Sequence, residues 1–375
     1  MRITRVDVCP VSIPYRVPYG ISQGTAPDGK HVIIKVYTDQ GVVGYGEAAT
    51  IIPERAGGMQ ESIAFMLRDY FAPAIIGDDP LDYERVLYKV DHVPFGRHLY
   101  PFAKAAIDHA LFDIVGKVHG MPVYKVLGGA CRKQIGVSRS IRVGTPEEMA
   151  EIAVKLREDG YRMLTLKGTF DMAHDLEALA KVRAAVGEGY PLEIDPNQAY
   201  PATEAIRVLR RMEAYGLQSV EQPCPWWDID GMAEVARALD TPIIADEMVQ
   251  STVEAMNIAK RRAADILCLK LTTMGGIAEA RKIVAIAEAA GLGVSMASRH
   301  TFGVGTAAIH HFVAATPAVQ EPIGYGSALE RFVDDIVTEP TPFKHGVATV
   351  LEGPGLGVEL DEAKLRRYGV TLSIP

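Results

Sequence analysis

Residues 189–198 read GYPLEIDPNQ, a short apolar run that ends in an acid, a proline and an amide. The run has the length of a buried strand, and Pro196 ends it. Asp195 therefore lies at the carboxyl end of a predicted strand. The stretch raises the question of what an aspartate does at the tip of a buried strand.

Similar apolar runs recur along the chain, each followed by an amphipathic helical segment. The residues that end the runs are separated by steps of 28, 26, 25, 24 and 28; they are Lys167, Asp195, Glu221, Asp246, Lys270 and Ser298. Each step suits one strand, one helix and two loops, which indicates parallel strands with right-handed crossovers. Seven strands are visible, and an eighth near residues 319–323 would close a barrel. An open doubly wound sheet is the alternative, but its Gly-rich phosphate loop is missing.

The first third of the chain has another pattern. Its predicted strands form a small antiparallel sheet and cover residues 3–15, 31–38 and 42–47. Helices are predicted near residues 57–72, 80–91 and 103–120. We predict an α/β chain built as a (β/α)8-type (modified TIM) barrel with an N-terminal α+β capping domain. The predicted limits are 1–127 for the capping domain, 128–340 for the barrel and 341–375 for a C-terminal segment that packs back on the capping domain.

The composition excludes several classes of protein. The chain has 375 residues, 48% of them hydrophobic, which is enough for a large core. The net charge is −8 and the basic residues are not clustered, so we expect no nucleic-acid partner. No apolar run is long enough to span a bilayer, and the first residues lack the core of a signal peptide. With no CxxC pair among four cysteines, these features predict a cytoplasmic protein without a membrane partner.

Three carboxylates are predicted to meet at one rim of the barrel. Asp195, Glu221 and Asp246 end three successive strands, and the carboxyl ends of barrel strands lie at one face. Carboxylates at such short distances from one another repel unless a cation binds between them. Ligand sets made only of oxygen favour Mg²⁺, with Mn²⁺ as the alternative. Glu247 competes for the last position, but strand alternation points only one of the pair inward, and we choose Asp246.

Two lysines are predicted to face each other across the barrel. Lys167 ends the second strand and Lys270 lies in the sixth, so the two stand four strands apart in an eight-stranded barrel. A nearby divalent cation and partial burial both lower the pKa of a lysine, and a neutral lysine is a competent general base. A metal that holds a carboxylate stabilises the enediolate formed when the α-proton leaves. The pattern predicts acid/base chemistry on a carboxylic acid.

The ordered motifs IDPN, EQP, ADE and LKLTTMGG, with Gly46-Glu47 before them and PGLGVEL after, resemble the enolase superfamily. The resemblance is to the branch of mandelate racemase and muconate lactonizing enzyme. It points to the muconate lactonizing (muconate cycloisomerase) subgroup, because both expected bases are lysines. It covers essentially the whole chain and implies the same three metal ligands and the same two lysines. It also implies that Asn197 supports the metal site, and we assign Glu247 to that surrounding layer.

The chain departs from the subgroup at the second strand. The subgroup usually carries Lys-x-Lys there, and this chain has Thr165-Leu166-Lys167. The first lysine is expected to lower the pKa of the second by like-charge repulsion. Lys167 remains the expected base, with Thr165 as a candidate contact to the substrate.

Substrate contacts are predicted on the seventh strand and on two N-terminal loops. Ser298, Arg299 and His300 end that strand; Arg299 is a candidate to bind a second carboxylate. His300 is a candidate proton donor, with a supporting loop role as the alternative. The resemblance implies lids over residues 19–31 and 49–58. Their candidate contacts are Tyr19, Ile52 and Arg55, and ordinary surface loops are the alternative.

The sequence predicts a Mg²⁺-dependent isomerase that abstracts the proton α to the carboxylate of a small molecule. Racemisation, epimerisation and cycloisomerisation share this first step, as does a dehydratase of a β-hydroxy acid such as a sugar acid or hydroxyproline. A non-catalytic metal-binding relative and a pyridoxal-phosphate barrel are alternatives from other classes. The resemblance also implies a homo-oligomer, either a dimer or an octamer.

Overall fold

The computed structural model describes residues 1–21, 24–50, 58–93 and 100–372. Its N-terminal sheet is antiparallel, in the order β1-β2-β3, and its strands are β1 (Ile3–Ile21), β2 (Gly24–Thr38) and β3 (Val43–Ala48). The predicted loop over residues 19–31 is therefore wrong, because Tyr19 pairs with Ala26 and Gly20 with Thr25 in a continuing hairpin. Backbone pairing along the hairpin overrides the polar, Gly-rich composition that indicated a loop.

The helices of this first region are α1 (Gln60–Met66), α2 (Ala72–Ile75), α3 (Tyr83–Val90), α4 (Pro101–Val118) and α5 (Val123–Val126), with a π-helical turn at Leu67–Phe71 between the first two. Helix α4 packs directly on β3. A Cβ at Gly46 would lie 1.9 Å from the carbonyl oxygen of Ala106, so only glycine allows this approach.

A second sheet is parallel and has the order β11-β10-β9-β8-β7-β6-β5. Before it comes β4 (Gln134–Gly136), and its strands are β5 (Arg139–Ile141), β6 (Leu164–Lys167), β7 (Leu192–Asp195), β8 (Ser219–Glu221), β9 (Ile243–Ala245), β10 (Ile266–Leu269) and β11 (Gly293–Met296). The first apolar run of the barrel, residues 135–141, is divided between two sheets, because β4 pairs antiparallel with a C-terminal strand while β5 pairs parallel with β6.

The helices that alternate with these strands are α6 (Pro146–Glu158), α7 (Met172–Val186), α8 (Ala202–Met212), α9 (Ile229–Ala238), α10 (Thr252–Arg261), α11 (Leu271–Met274), α12 (Ile277–Ala290) and α13 (Gly303–Ala315). Helix α6 begins with a capping box: Thr145 accepts from the Glu148 N–H, and Glu148 accepts from the Thr145 N–H. Within the described ranges, no helix has both the length and the apolar character needed to cross a membrane.

The predicted eighth strand closes the barrel through isolated bridges. Val319 bridges Val294 on one side, and Ile323 bridges Val137 on the other. Pro322 lies between the two contacts and has no N–H to donate, which accounts for the interrupted ladder. The barrel architecture with a separate N-terminal antiparallel sheet is the predicted one.

The C-terminal region contacts both parts of the molecule. Its elements are β12 (Phe343–Lys344), β13 (Val347–Thr349) and α14 (Glu362–Tyr368). Strand β13 pairs with β4, whereas the Val370 N–H donates to the carbonyl of Pro10 in β1 (2.9 Å). The domain limits at residues 127 and 340 stay predictions.

Candidate active site

The carboxyl ends of the parallel strands surround a chamber with a volume of about 100 Å³. Lys167, Glu221, Asp246 and Lys270 all line it. Asp195 lies beside the chamber rather than on its surface. It is fully buried, and its two oxygens accept from the Lys167 ammonium and from the Asn197 N–H at 2.8 Å. The structure thus places the five central predicted residues around one space.

Each lysine contacts a different carboxylate. The Lys167 ammonium donates to Asp195, and the Lys270 ammonium donates to Asp246. Both lysine side chains are mostly buried. Burial is the largest single influence and lowers the pKa of Lys167, but the charges of Asp195, Tyr19 and Glu221 together outweigh it and raise the pKa well above its usual value.

Glu221 and Asp246 are close enough to share one ion. One oxygen of each, with the Cys268 sulfur, lies within 4.8 Å of the others. Burial, followed by the charges of Asp195 and Asp246, raises the pKa of Glu221 well above its usual range. Asp246 Oδ1 is buried and has no hydrogen-bond partner in the described part of the chain. Buried carboxylates that repel and an unsatisfied carboxylate oxygen fit a hard divalent cation such as Mg²⁺.

Cys268 is an unsuitable ligand for that cation. Burial, with the neighbouring Asp246 and Glu221 charges, raises the pKa of its thiol well above the usual value. Magnesium prefers oxygen ligands. The oxygens of Glu221 and Asp246 are therefore better ligands for the ion than the neighbouring sulfur.

Amide side chains hold the loops that carry the acids. Asn197 Nδ2 donates to Glu247 Oε1 (3.2 Å), and both residues line the chamber. Glu247 therefore faces the site as Asp246 does, and the expectation that only one of the pair points inward is wrong, because β9 ends at Ala245 and its alternation reaches neither residue. Gln222, whose role the sequence reasoning missed, accepts from the Asp246 N–H (2.9 Å) and the Met248 N–H (3.1 Å). Its position directly after Glu221 in the EQP motif was the available signal.

A second layer of polar residues lies one step deeper in the barrel. Glu193 accepts from the Thr165 hydroxyl (2.9 Å) and the Ser219 hydroxyl (2.6 Å), and all three are buried. Burial raises the pKa of Glu193, and these two hydrogen bonds oppose the rise. Sequence reasoning missed this carboxylate, although strand alternation puts it on the same face as Asp195.

The opposite wall of the chamber comes from the seventh strand and from the N-terminal sheet. His300 Nδ1 lies 3.0 Å from the Tyr15 hydroxyl, and the His300 and Tyr19 ring centroids are 4.3 Å apart. Burial, aided by Arg331, lowers the pKa of His300 well below its usual value. Burial raises the pKa of Tyr15, so the hydrogen bond joins a neutral phenol to a neutral imidazole. Tyr15 is a further contact that the sequence reasoning missed.

Of the remaining predicted substrate contacts, some line the chamber and others lie outside the described residues. Ser298, Arg299 and Tyr19 line the chamber, and Ser298 Oγ accepts from the His300 N–H (2.9 Å). Thr165 also reaches the chamber but gives its hydroxyl proton to Glu193. Ile52 and Arg55 lie outside the described residues.

Known protein families match nearly the whole chain. The mandelate racemase / muconate lactonizing enzyme N-terminal domain matches residues 3–128, and the enolase C-terminal domain-like family matches residues 148–364. An N-succinyl-L-Arg/Lys racemase from Bacillus cereus is 32% identical over 99% of this chain and 98% of its own length. A chloromuconate cycloisomerase from Cupriavidus pinatubonensis is 33% identical over 96% of both chains.

A solved structure extends the likeness to three dimensions. The dipeptide epimerase from Enterococcus faecalis, complexed with Mg and the dipeptide L-Leu-L-Tyr, has a TM-score of 0.90 and 28% identity over 96% of this chain and 99% of its own. These relatives are a racemase, a cycloisomerase and an epimerase, and this chain is an isomerase. It belongs to the mandelate racemase/muconate lactonizing enzyme family of the enolase superfamily.

Proposed function

We propose that the chain is a Mg²⁺-dependent racemase, epimerase or cycloisomerase that moves the proton α to a substrate carboxylate. The observation that carries the proposal is the arrangement of Lys167 and Lys270. Strands β6 and β10, which end at or just before these lysines, stand four apart in the sheet. The ammonium groups of the two lysines reach the same chamber, and each contacts a different carboxylate.

In this proposal Asp195, Glu221 and Asp246 would hold the ion, with Asn197 and Glu247 supporting them. The buried, unsatisfied Asp246 Oδ1 is an oxygen ligand that suits it. When bound, Mg²⁺ stabilises the negative charge that develops on the substrate carboxylate. The Gln222 side chain keeps the Asp246 backbone in place, so the ligand is positioned before binding.

The lysines carry the proton in this proposal. One amine accepts the α-proton at Nζ, and the opposite ammonium donates a proton to the other face, which inverts the centre. Asp195 holds the pKa of Lys167 high when it serves that ammonium alone. Sharing Asp195 with a divalent cation weakens this support, so the amine becomes available as a base. Cycloisomerisation needs only one of the two lysines as acid and base.

The other readings have less support. A dehydratase would share the first step, but the relatives described above are isomerases. A non-catalytic relative would not need two buried lysines at opposed positions. A pyridoxal-phosphate enzyme would need only one lysine and would be coloured when purified.

The remaining features of the proposal concern its setting. We propose a small-molecule carboxylate substrate, a cytoplasmic location and a homo-oligomer, dimeric or octameric. The hairpin around Tyr19 supports a covering role, since Tyr19 contacts His300 at the chamber wall.

Proton NMR in D₂O tests the reaction. With Mg²⁺ and a panel of N-acyl amino acids, dipeptides and muconates, we expect α-deuteration with racemisation or epimerisation, or lactone formation from a muconate. An olefin or keto product from a hydroxy acid would favour the dehydratase instead. If the reaction is racemisation or epimerisation, Lys167→Ala and Lys270→Ala should each reduce turnover at least 10³-fold, within the range that acid/base groups contribute (about 10²–10⁴).

Two controls accompany these variants. Lys133→Ala, at an exposed lysine paired with Glu352, should keep full activity. Asp195→Asn should weaken Mg²⁺ binding in calorimetry, whereas Asp230→Asn, at an exposed ion pair with Arg261, should not. Near-normal turnover in either lysine variant would show that the two-base model is wrong.

A further inference from the structure

A groove leads away from the catalytic chamber. It runs between the β1 side of the hairpin and helix α6, and it shares Tyr19, Ser140 and Arg331 with the chamber. Its volume is about 490 Å³, against about 100 Å³ for the chamber. Binding pockets for small molecules span roughly 300–1,000 Å³. The chamber therefore suits the reacting carboxylate and its α-carbon, and a larger substituent has to extend into the groove.

The groove carries an excess of positive charge. Its described lining residues include five cations, Arg16, Arg139, Arg142, Lys155 and Arg331, and two carboxylates, Asp159 and Glu330. Glu330 is already engaged, because Arg139 lies 3.2 Å away and the Tyr161 hydroxyl donates to it at 2.6 Å. A groove lined by one sign of charge attracts ligands of the other sign.

Arg331 stands where the groove and the chamber meet. Its Nε is buried and has no hydrogen-bond partner in the part of the chain that the structure describes. Its guanidinium carbon lies 5.5 Å from the centre of the Tyr19 ring. A buried donor without an acceptor is destabilising, and an anionic ligand group would satisfy it.

We propose that this groove binds a second anionic group of the substrate. The substrate class is then an elongated carboxylate with two negative charges, one beside the reacting α-carbon and one at the end of an N-acyl or side-chain arm that passes Tyr19. This inference rests on the proposed function for the position of the reacting carboxylate. The Arg331 guanidinium, followed by Arg142 and Lys155, supplies the binding charge.

Matched substrate pairs test the proposal by α-proton exchange in D₂O with Mg²⁺. An N-succinyl amino acid is compared with its neutral N-succinamoyl amide, and N-acetylglutamate with N-acetylglutamine. We expect kcat/KM to be at least tenfold higher for the anionic member of one pair, and that pair identifies the arm. Equal efficiency within both pairs would overturn the proposal.

Charge-removing variants locate the effect. Arg331→Gln and the double variant Arg142→Gln/Lys155→Gln should each reduce the preference at least threefold, mainly through KM. Arg237→Gln, at an exposed arginine on α9, is the matched control and should keep the preference. A preference that survives in both groove variants would show that the anion binds elsewhere.

A binding measurement separates this inference from the proposed reaction. Absence of exchange with every acid would count against the isomerase proposal alone. Calorimetry then compares glutarate with its monoamide on the Mg²⁺-loaded protein. Tighter binding of glutarate that is lost in the Arg142→Gln/Lys155→Gln variant supports the groove, and equal binding of the two ligands overturns it.

Discussion

Thr165 stands where the muconate lactonizing subgroup usually has a lysine. The residues around Thr165 show which hydrogen bonds accompany this difference. Its partner across the strand pair is Glu193, which also accepts from Ser219 on the next strand. The three residues form a layer directly below Lys167, Asp195 and Glu221. A lysine at position 165 would introduce an ammonium in this layer, whereas threonine supplies a neutral donor that fits the two-hydroxyl environment of Glu193.

Replacing Thr165 tests the importance of this layer. Thr165→Val keeps the shape but leaves Glu193 Oε1 without its donor, so we expect the free energy of unfolding to fall by about 1–3 kcal/mol. Urea denaturation followed by circular dichroism measures the change. Thr165→Ser retains a hydroxyl and is the matched control. Equal stability of the Val and Ser variants would mean that the hydrogen bond contributes little.

For individual residues, the sequence predicted which side chains lie at strand ends better than it predicted which side chains contact each other. Spacing alone placed Lys167, Glu221, Asp246 and Lys270 at strand ends, and the structure collects them around one chamber. Their metal-binding and acid/base roles stay predictions. Contacts such as Tyr15 with His300 join residues 285 positions apart, so no local pattern could indicate them.

Glu47, at the end of β3, is the main polar link between the N-terminal sheet and helix α13. Its carboxylate accepts from the Phe302 N–H (2.6 Å), the Gly305 N–H (2.7 Å) and His31 Nδ1 (2.9 Å). Phe302 directly precedes α13 and Gly305 lies in its first turn, so neither N–H has a hydrogen-bond acceptor within the helix. A fully buried carboxylate from one part of the molecule thus caps a helix of the other.

Glu47→Gln is expected to weaken this link. The amide nitrogen cannot accept, so at least one backbone N–H at the start of α13 loses its partner. Hydrogen bonds to charged groups contribute about 1.5–3 kcal/mol, and we expect a loss of that size in urea denaturation. Glu359→Gln, at an exposed carboxylate that accepts from Tyr45, is the control and should change stability little. Similar losses in both variants would contradict the buried role of Glu47.

The sequence predicted most elements because hydrophobic periodicity and capping signals are local. It missed features that depend on distant strands. The hairpin beyond residue 15 exists because β2 pairs along it, and the divided first barrel strand exists because β13 pairs with β4. Both outcomes rest on long-range backbone pairing, which composition does not reveal.

Across the rest of the described molecule, three buried histidines besides His300 favour the neutral form. Burial lowers the pKa of His109, His310 and His311 to about 4, from an ordinary value of 6.5. The unfolded chain binds protons below pH 6.5, whereas the folded chain does so only near pH 4. Stability from this source is therefore complete above pH 6.5 and is lost as the pH falls towards 4.

This difference predicts acid sensitivity. At pH 5 each histidine should reduce the free energy of unfolding by about 2 kcal/mol relative to pH 7.5. Urea denaturation at the two pH values measures the combined change, in which the raised pKa values of Asp108 (about 7) and Asp335 (about 6) act in the opposite direction. His109→Leu isolates the contribution of one histidine. The pH-dependent loss in that variant should be smaller by about 2 kcal/mol. An unchanged pH dependence would show that His109 does not titrate in this way.

The origin of the chamber walls has an evolutionary consequence. Tyr19, which lines the chamber, comes from the N-terminal hairpin, as does Tyr15 behind His300, while the lysines and acids come from the ends of barrel strands. Selection can therefore alter the hairpin to accept new molecules without disturbing the residues that transfer the proton. Descendants of one ancestral gene can in this way acquire different substrate specificities while they retain the same proton-transfer chemistry.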